Sequence, residues 1–164
     1  MIQFEVLGTP APKGSSRAIL IAGRAVNVPG GSNVGRNKLR SWAREVGDAA
    51  RAACGALRWP VYRAEPVAVS IHFHLARPLG HFGKRGLRPG APAFPITKPD
   101  VDKLVRGTLD ALTGILFDDD SRVVALEVRK FYAEPGKEGA LIGITLMSLP
   151  RIAQELLEAE RAAR

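Results

Sequence analysis

Residues 98–124 read KPDVDKLVRGTLDALTGILFDDDSRVV, and their pattern decides the fold. Val101, Leu104, Val105, Thr108, Leu109 and Leu112 recur at three- and four-residue spacing, which predicts an amphipathic helix over 101–113. Pro99 disfavours helix at Lys98 and suits a start just after it, so Asp100 is expected at the N-cap and Asp102 in the first turn. Asp102, Arg106 and Asp110 follow each other four apart on the opposite face, where Arg106 and Asp110 are expected to pair. Gly114 is the expected stop. The run Asp118, Asp119, Asp120 then closes the turn and opens a strand at 122, with Asp118 expected as a solvated turn residue.

Working outward, residues 66–75 alternate, with Val67, Val69, Ile71, Phe73 and Leu75 on one face and Ala68, Ser70, His72 and His74 on the other. Residues 2–8 alternate through Ile2, Phe4 and Val6. Residues 122–133 and 139–147 read as two strands, and the PGKEG link predicts a hairpin between them. A second helix is expected over 37–54, with an apolar stripe of Leu39, Trp42, Val46, Ala49, Ala50 and Ala53 and a stop at Gly55. Its Arg40, Arg44 and Arg51 lie off that stripe, as a solvated face or as phosphate contacts. Residues 9–36 and 76–98 are long Gly- and Pro-rich loops, the first with a possible hairpin over 18–25. Residues 151–164 form an amphipathic segment expected to be a helix on this domain or on a partner subunit. The expected fold is α+β: one domain over 1–150, with a small mixed or antiparallel sheet and packed helices.

The chain has 164 residues, enough for one domain with an ordinary core. Its net charge is +8 and its pI near 10.2, which favours a polyanionic partner, nucleic acid before anionic membrane. Cys54 is the single cysteine, so no internal disulfide and no cysteine-based zinc site is possible. The start MIQFEVLG has neither a basic region nor a long apolar run, and no stretch has transmembrane length, so a soluble, cytoplasmic protein is expected. Residues 76–98 carry Arg77, Lys84, Arg85, Arg88 and Lys98 and no acid. Its Phe82 and Phe94 could stack on bases or anchor the loop.

Against this basic background, all six acids between 100 and 120 are Asp, with only Lys103 and Arg106 among them. Like charges repel, so the cluster implies a divalent cation, a basic partner, or solvation at a helix start and a loop. An Asp N-cap with a first-turn Asp is ordinary by itself. Convergence of Asp100 and Asp102 with the 118–120 group would suit Mg²⁺ or Mn²⁺, which prefer hard carboxylate oxygens. A basic envelope round such a site would hold phosphates. His72 and His74 share a strand face and could ligate metal, though surface histidines are the plainer reading.

From Lys98 to Lys130 the chain resembles the RusA family of Holliday junction resolvases, found in bacteria and phages. The resemblance rests on the Lys-Pro-Asp-x-Asp start, the Leu-rich helix with Asp-Ala-Leu, the Asp-Asp-Ser-x-Val-Val turn and strand, and the closing Lys. GTPAPKG at 8–14 is similar to the opening of many phage-type members. The resemblance implies that Asp100, Asp102 and Asp120 are catalytic metal ligands, with Asp119 as their acidic neighbour. Lys130 holds the basic position on the following strand. Two positions depart from the family: Lys103 replaces an Asn and Arg106 a functionally important Lys. Arg keeps the charge but not the compact ammonium, and a Lys103 turned into the site would compete with metal.

The function so implied is Mg²⁺-dependent cutting of four-way DNA junctions by a homodimer, in the cytoplasm of a bacterium or phage-infected host. Arg106, Lys98 and Lys130 are expected near the scissile phosphate, Lys103 beside it, and Lys13, Arg17, Lys84, Arg85 and Arg88 along the DNA arms. The alternatives are a branched-DNA-binding protein with weak or no nuclease activity, and a protein-interaction module whose Asp cluster meets a basic partner.

Overall fold

The computed structural model describes residues 1–14, 17–28, 32–57 and 65–147, without the side chains of residues 17, 19, 27, 28 and 57. The segment expected as a helix at 151–164 lies outside the described residues. Eight strands and two α-helices are described: β1 Ile2–Leu7, β2 Arg17–Ile21, β3 Arg24–Val28, α1 Asn33–Leu57, β4 Val67–Leu75, β5 Phe82–Gly83, β6 Gly86–Leu87, α2 Val101–Leu112, β7 Val123–Tyr132 and β8 Gly139–Leu146. The fold is α+β, as expected.

The main sheet has the order β1-β8-β4-β7. β8 runs antiparallel to both neighbours, whereas β4 and β7 are parallel. A parallel pair needs a crossover, and α2 supplies it. The hairpin expected between β7 and β8 is therefore absent. Residues 133–138 carry the chain past the end of β4, and β8 inserts between β1 and β4. Burial explains the choice: β8 (GALIGITL) is buried along most of its length, while β7 carries Glu127, Arg129 and Lys130 and is largely exposed. The apolar strand takes the interior and the charged strand takes the edge.

One core lies between the sheet and the helices. β4 alternates strictly, with Val67, Val69, Ile71, Phe73 and Leu75 buried. They meet Trp42, Val46 and Ala50 of α1, Leu104, Val105 and Leu112 of α2, and Leu116 and Phe117 beyond it. Val101, expected on this face, is instead 41% exposed at the first residue of the helix. The two helices are joined by a buried hydrogen bond from Trp42 Nε1 to Thr108 Oγ1 at 3.1 Å, and that hydroxyl donates on to Leu104 O at 3.0 Å.

α1 is longer than expected at both ends. Ser32 Oγ accepts from Gly35 N at 3.1 Å and starts it early. At the other end the helix runs past Gly55 to Leu57. α2 stops as expected: Thr113 is the C-cap, and Gly114 (φ 78°) turns the chain and donates to Phe117 O at 2.7 Å. Within the first long loop, β2 and β3 form a hairpin closed by Ala22 (φ 49°) and Gly23 (φ 76°), a pair of positive φ values that matches a tight primed turn.

Candidate nuclease site

The Lys98–Pro99 bond is cis, and Asp100 follows at the N-cap of α2. Asp100 has the backbone of a cap, and its carbonyl accepts from Leu104 N at 3.1 Å. Its carboxylate makes no capping bond. It accepts instead from the Lys103 ammonium at 2.6 Å. That hydrogen bond and the charge of Lys103, helped by Lys98 and Lys130, hold the Asp100 carboxyl below the ordinary range. The same contact with Asp100, reinforced by Asp102, raises Lys103. Lys103 thus turns into the site.

Lys130 reaches across from β7. Its ammonium donates to Thr97 O at 3.1 Å and Pro99 O at 3.0 Å, pinning the segment that presents Asp100. Two of its three donors are used inside the protein, so Lys130 is a positioning residue as well as a nearby charge.

On the other side, residues 9–12 pass over the start of α2. A cleft of ≈ 430 Å³ opens here, lined by Thr9, Pro10, Ala11, Pro12, Lys38, Lys98, Pro99, Asp100 and Lys103. Three ammonium groups therefore surround one carboxylate, an arrangement suited to a phosphate beside an acid. Lys38 is a site residue that the sequence reading missed. The signal was present, because it precedes Leu39 of the buried stripe and so lies at the stripe's margin.

Lys13 is placed at the far side of this strap. Its backbone N donates to Lys103 O at 2.9 Å, and its ammonium pairs with Asp110. The expected Arg106–Asp110 pair is thereby replaced. Arg106 is exposed one helical turn beyond Asp102, with no hydrogen bond or ion pair among the described residues. Gly107 explains the close fit of the strap: a Cβ there would meet Leu39 Cδ1 at 2.9 Å and Ala11 O at 3.2 Å. The side chain of Arg17 lies outside the described residues.

The second acid group is elsewhere. Asp119 Oδ1 accepts from Ser121 N at 2.8 Å, and hydrogen bonds from Ser121 lower its pKa. Asp118 pairs with Arg122 at 3.1 Å rather than standing free. Asp120 is exposed in the short 3₁₀ turn that leads into β7. Lys130, which touches the Asp100 segment, lies seven residues along β7 from Val123. At about 3.3 Å per residue that is ~23 Å. Asp100 and Asp120 therefore flank opposite ends of α2, which is itself about 18 Å long. They do not converge within one chain. Among the described residues, no three His, Cys, Asp or Glu side chains form a metal-ligand set. One chain alone therefore does not fit a three-carboxylate ion site.

The three histidines pack against aromatic rings. His72 and His74 each lie 5.7 Å from the Phe131 ring, and His72 Nε2 is 3.9 Å from Glu127. Arg40 and Arg44 are exposed, and Arg51 pairs with Asp48 at 3.1 Å. Lys84 and Arg85 are exposed at the tip of the β5–β6 hairpin, and Arg88 Nε donates to Phe82 O at 2.9 Å. No described helix is long and apolar enough to cross a membrane.

The fold and cleft define a small α+β domain that presents Asp100 in a lysine-lined cleft at the start of α2. Residues 12–142 match the family model described as "Endodeoxyribonuclease RusA", and the chain belongs to that family. It is also 50% identical over 48 residues to the "Uncharacterized protein YqaN" of Bacillus subtilis (strain 168). That match covers 29% of this chain and about a third (34%) of the length of that relative.

Proposed function

We propose that this chain is an endodeoxyribonuclease that cuts four-way (Holliday) DNA junctions as a homodimer with a divalent ion. The carrying observation is Asp100 in a cleft lined by Lys38, Lys98 and Lys103, with Asp102 exposed two residues further on in the first turn of α2. Family membership supports the DNA-cutting part of the reading. Lys38 and Lys98 hold a phosphate at the cleft, and Arg106 binds a neighbouring one from the exposed face of α2. Lys130 keeps the Asp100 segment in place by its two carbonyl contacts.

The separation of Asp120 from Asp100 supports the dimer. A two-fold pair of chains can set the Asp119–Asp120 end of one beside the Asp100–Asp102 end of the other, twice over. Such a pair matches a junction that itself has two-fold symmetry. The ion set would then comprise Asp100 and Asp102 of one copy and Asp120, with Asp119 beside it, of the second. Mg²⁺ or Mn²⁺ bound there would activate a water and stabilise the leaving oxygen of a phosphodiester.

The test is cleavage of a synthetic four-way junction with Mg²⁺. The parent is expected to make paired, symmetric cuts, with linear duplex of the same sequence left whole. Asp100→Asn and Asp102→Asn should each slow the reaction by about a hundred-fold or more. Equal rates for parent and variants would overturn the site assignment.

A second reading is favoured by the 2.6 Å Lys103–Asp100 ion pair: a junction-binding protein in which an internal ammonium occupies the carboxylate and cleavage is weak or absent. Junction binding without a Mg²⁺-dependent product at any pH would select it.

A further inference from the structure

Between β4 and α2 the chain is built as a projection. Phe82 pairs with Leu87 and Gly83 with Gly86, leaving Lys84 and Arg85 at the tip. Gly86 has φ 105°, a backbone conformation that suits the tight turn. Arg88 braces the stem twice: its Nε donates to Phe82 O and its backbone N to His81 O, both at 2.9 Å. The base is tied down as well. The Arg77 guanidinium lies 3.9 Å from the centre of the Tyr132 ring and donates to Pro92 O at 2.9 Å. The His81 ring meets Tyr132 edge-on at 5.6 Å. Tyr132 ends β7 two residues after Lys130, so the hairpin rises from the same end of the sheet as Asp100.

Its surface chemistry is mixed in a particular way. Leu79 is 89% exposed, Leu87 52% and Phe82 40%. Phe82 and Leu87 stand directly opposite each other, so their side chains share one face of the hairpin. Cations flank them, and residues 76–98 hold no acid to offset those cations. Apolar side chains held in water on a cationic, preorganised hairpin suit a ligand with phosphates at its rim and an open stacking face within. An intact duplex offers the phosphates but hides its base faces. A branch point offers both.

We propose that the Phe82–Leu87 hairpin is a wedge that enters the branch point of the DNA. Phe82 and Leu87 lie against an opened base pair, and Lys84 and Arg85 contact the phosphates on either side. This rests on the junction-cutting reading and deepens it, because it assigns recognition of branching to the hairpin and leaves bond cleavage to the carboxylates.

The test uses the full chain, without metal, and a four-way junction carrying 2-aminopurine either at the branch point or within an arm. Binding of the parent should raise branch-point fluorescence and leave the arm probe unchanged. The Phe82→Ala/Leu87→Ala protein should lose most of that rise. It should also bind the junction roughly five-fold or more weakly, the range of one lost stacking contact, with unaltered affinity for linear duplex. Lys84→Ala/Arg85→Ala should weaken both substrates and flatten the salt dependence by about two counterions. Unchanged thermal melting would confirm that each variant is folded. If the Phe82→Ala/Leu87→Ala protein keeps the full rise and the preference for junction, the wedge is wrong. The same holds if the parent binds and cuts junctions with no fluorescence change. If the parent binds no junction, the junction reading itself falls. Junction binding indifferent to all four substitutions would leave the hairpin to a protein partner and overturn the proposal.

Discussion

The Lys103 ammonium lies 2.6 Å from the Asp100 carboxylate, where the resemblance to RusA enzymes places an Asn and a metal-binding Asp. The two residues are three apart at the start of α2, so the helix itself holds them together. Lys103→Asn removes that ammonium. The expected result is Mn²⁺ binding tighter by roughly two- to five-fold, the range of an exposed ion pair, measured by calorimetric titration. Affinity equal to the parent's would show that Lys103 leaves the carboxylate at no cost.

The same pair has a defined response to pH. Asp100 is shifted down, so its contribution is present above the unfolded carboxylate pKa and is lost as pH falls through the lower folded value. Lys103 is shifted up, so its contribution is present below the unfolded ammonium pKa and is lost as pH rises through the higher folded value. The pair is therefore intact throughout the neutral range. NMR titration of the Asp100 carboxyl carbon should give a midpoint below the ordinary carboxylate value, and Lys103→Asn should move it upward.

Complementation between copies distinguishes a shared site from a self-contained one. Asp100→Asn and Asp120→Asn proteins should each be inactive alone. Mixed and refolded together, they should form heterodimers with one site carrying both defects and one site intact. Those heterodimers should nick junctions without resolving them. If each chain held a complete site, no mixture would recover activity.

Lys130 tests positioning. Lys130→Met strips Thr97 and Pro99 of their shared donor while keeping a long apolar stem. Cleavage at saturating junction should fall by about ten- to a hundred-fold, the effect of a displaced reacting group, with little change in junction affinity. A parallel drop in affinity would mean that Lys130 acts mainly on the DNA.

Thr108 tests the core. Thr108→Val keeps the shape but leaves the buried Trp42 Nε1–H without its acceptor. Urea unfolding should show a loss of about 1–3 kcal/mol. Thr108→Ser, which restores the hydroxyl, should recover much of it.

Local pattern made most elements legible. The alternation of β4 and the stripe of α2 each report which residues turn inward, because side-chain period follows backbone geometry. Strand order was not legible in that way. The PGKEG link is compatible with a hairpin, and only the greater burial of Ala140, Ile142 and Ile144 over β7 places β8 inside the sheet. The charges Glu127, Arg129 and Lys130 on β7 were the available sign of an edge. At the candidate site, the sequence pattern placed Asp100 at the helix N-cap and Asp102 in the first turn, where the structure has them, with lysines nearby. It placed Lys38 only at the margin of the α1 stripe, and it could not reveal the cleft that Lys38 lines, the exchange of Arg106 for Lys13 as partner of Asp110, or the distance to Asp120. Each depends on how separate elements meet in space. Ser32 was a readable helix start that the apolar stripe alone did not reveal.

The position of β8 also has a consequence during synthesis. Ile2 lies across from Ile144, so β1 waits for nearly the whole domain to be made before it finds its neighbour. Until then β1 and one side of β4 present bare edges, and α1 has no finished floor to lie on. Such long-range closure slows folding and exposes strands to other chains. A nascent chain halted before residue 139 would therefore be a target for chaperones or proteases rather than a smaller folded domain.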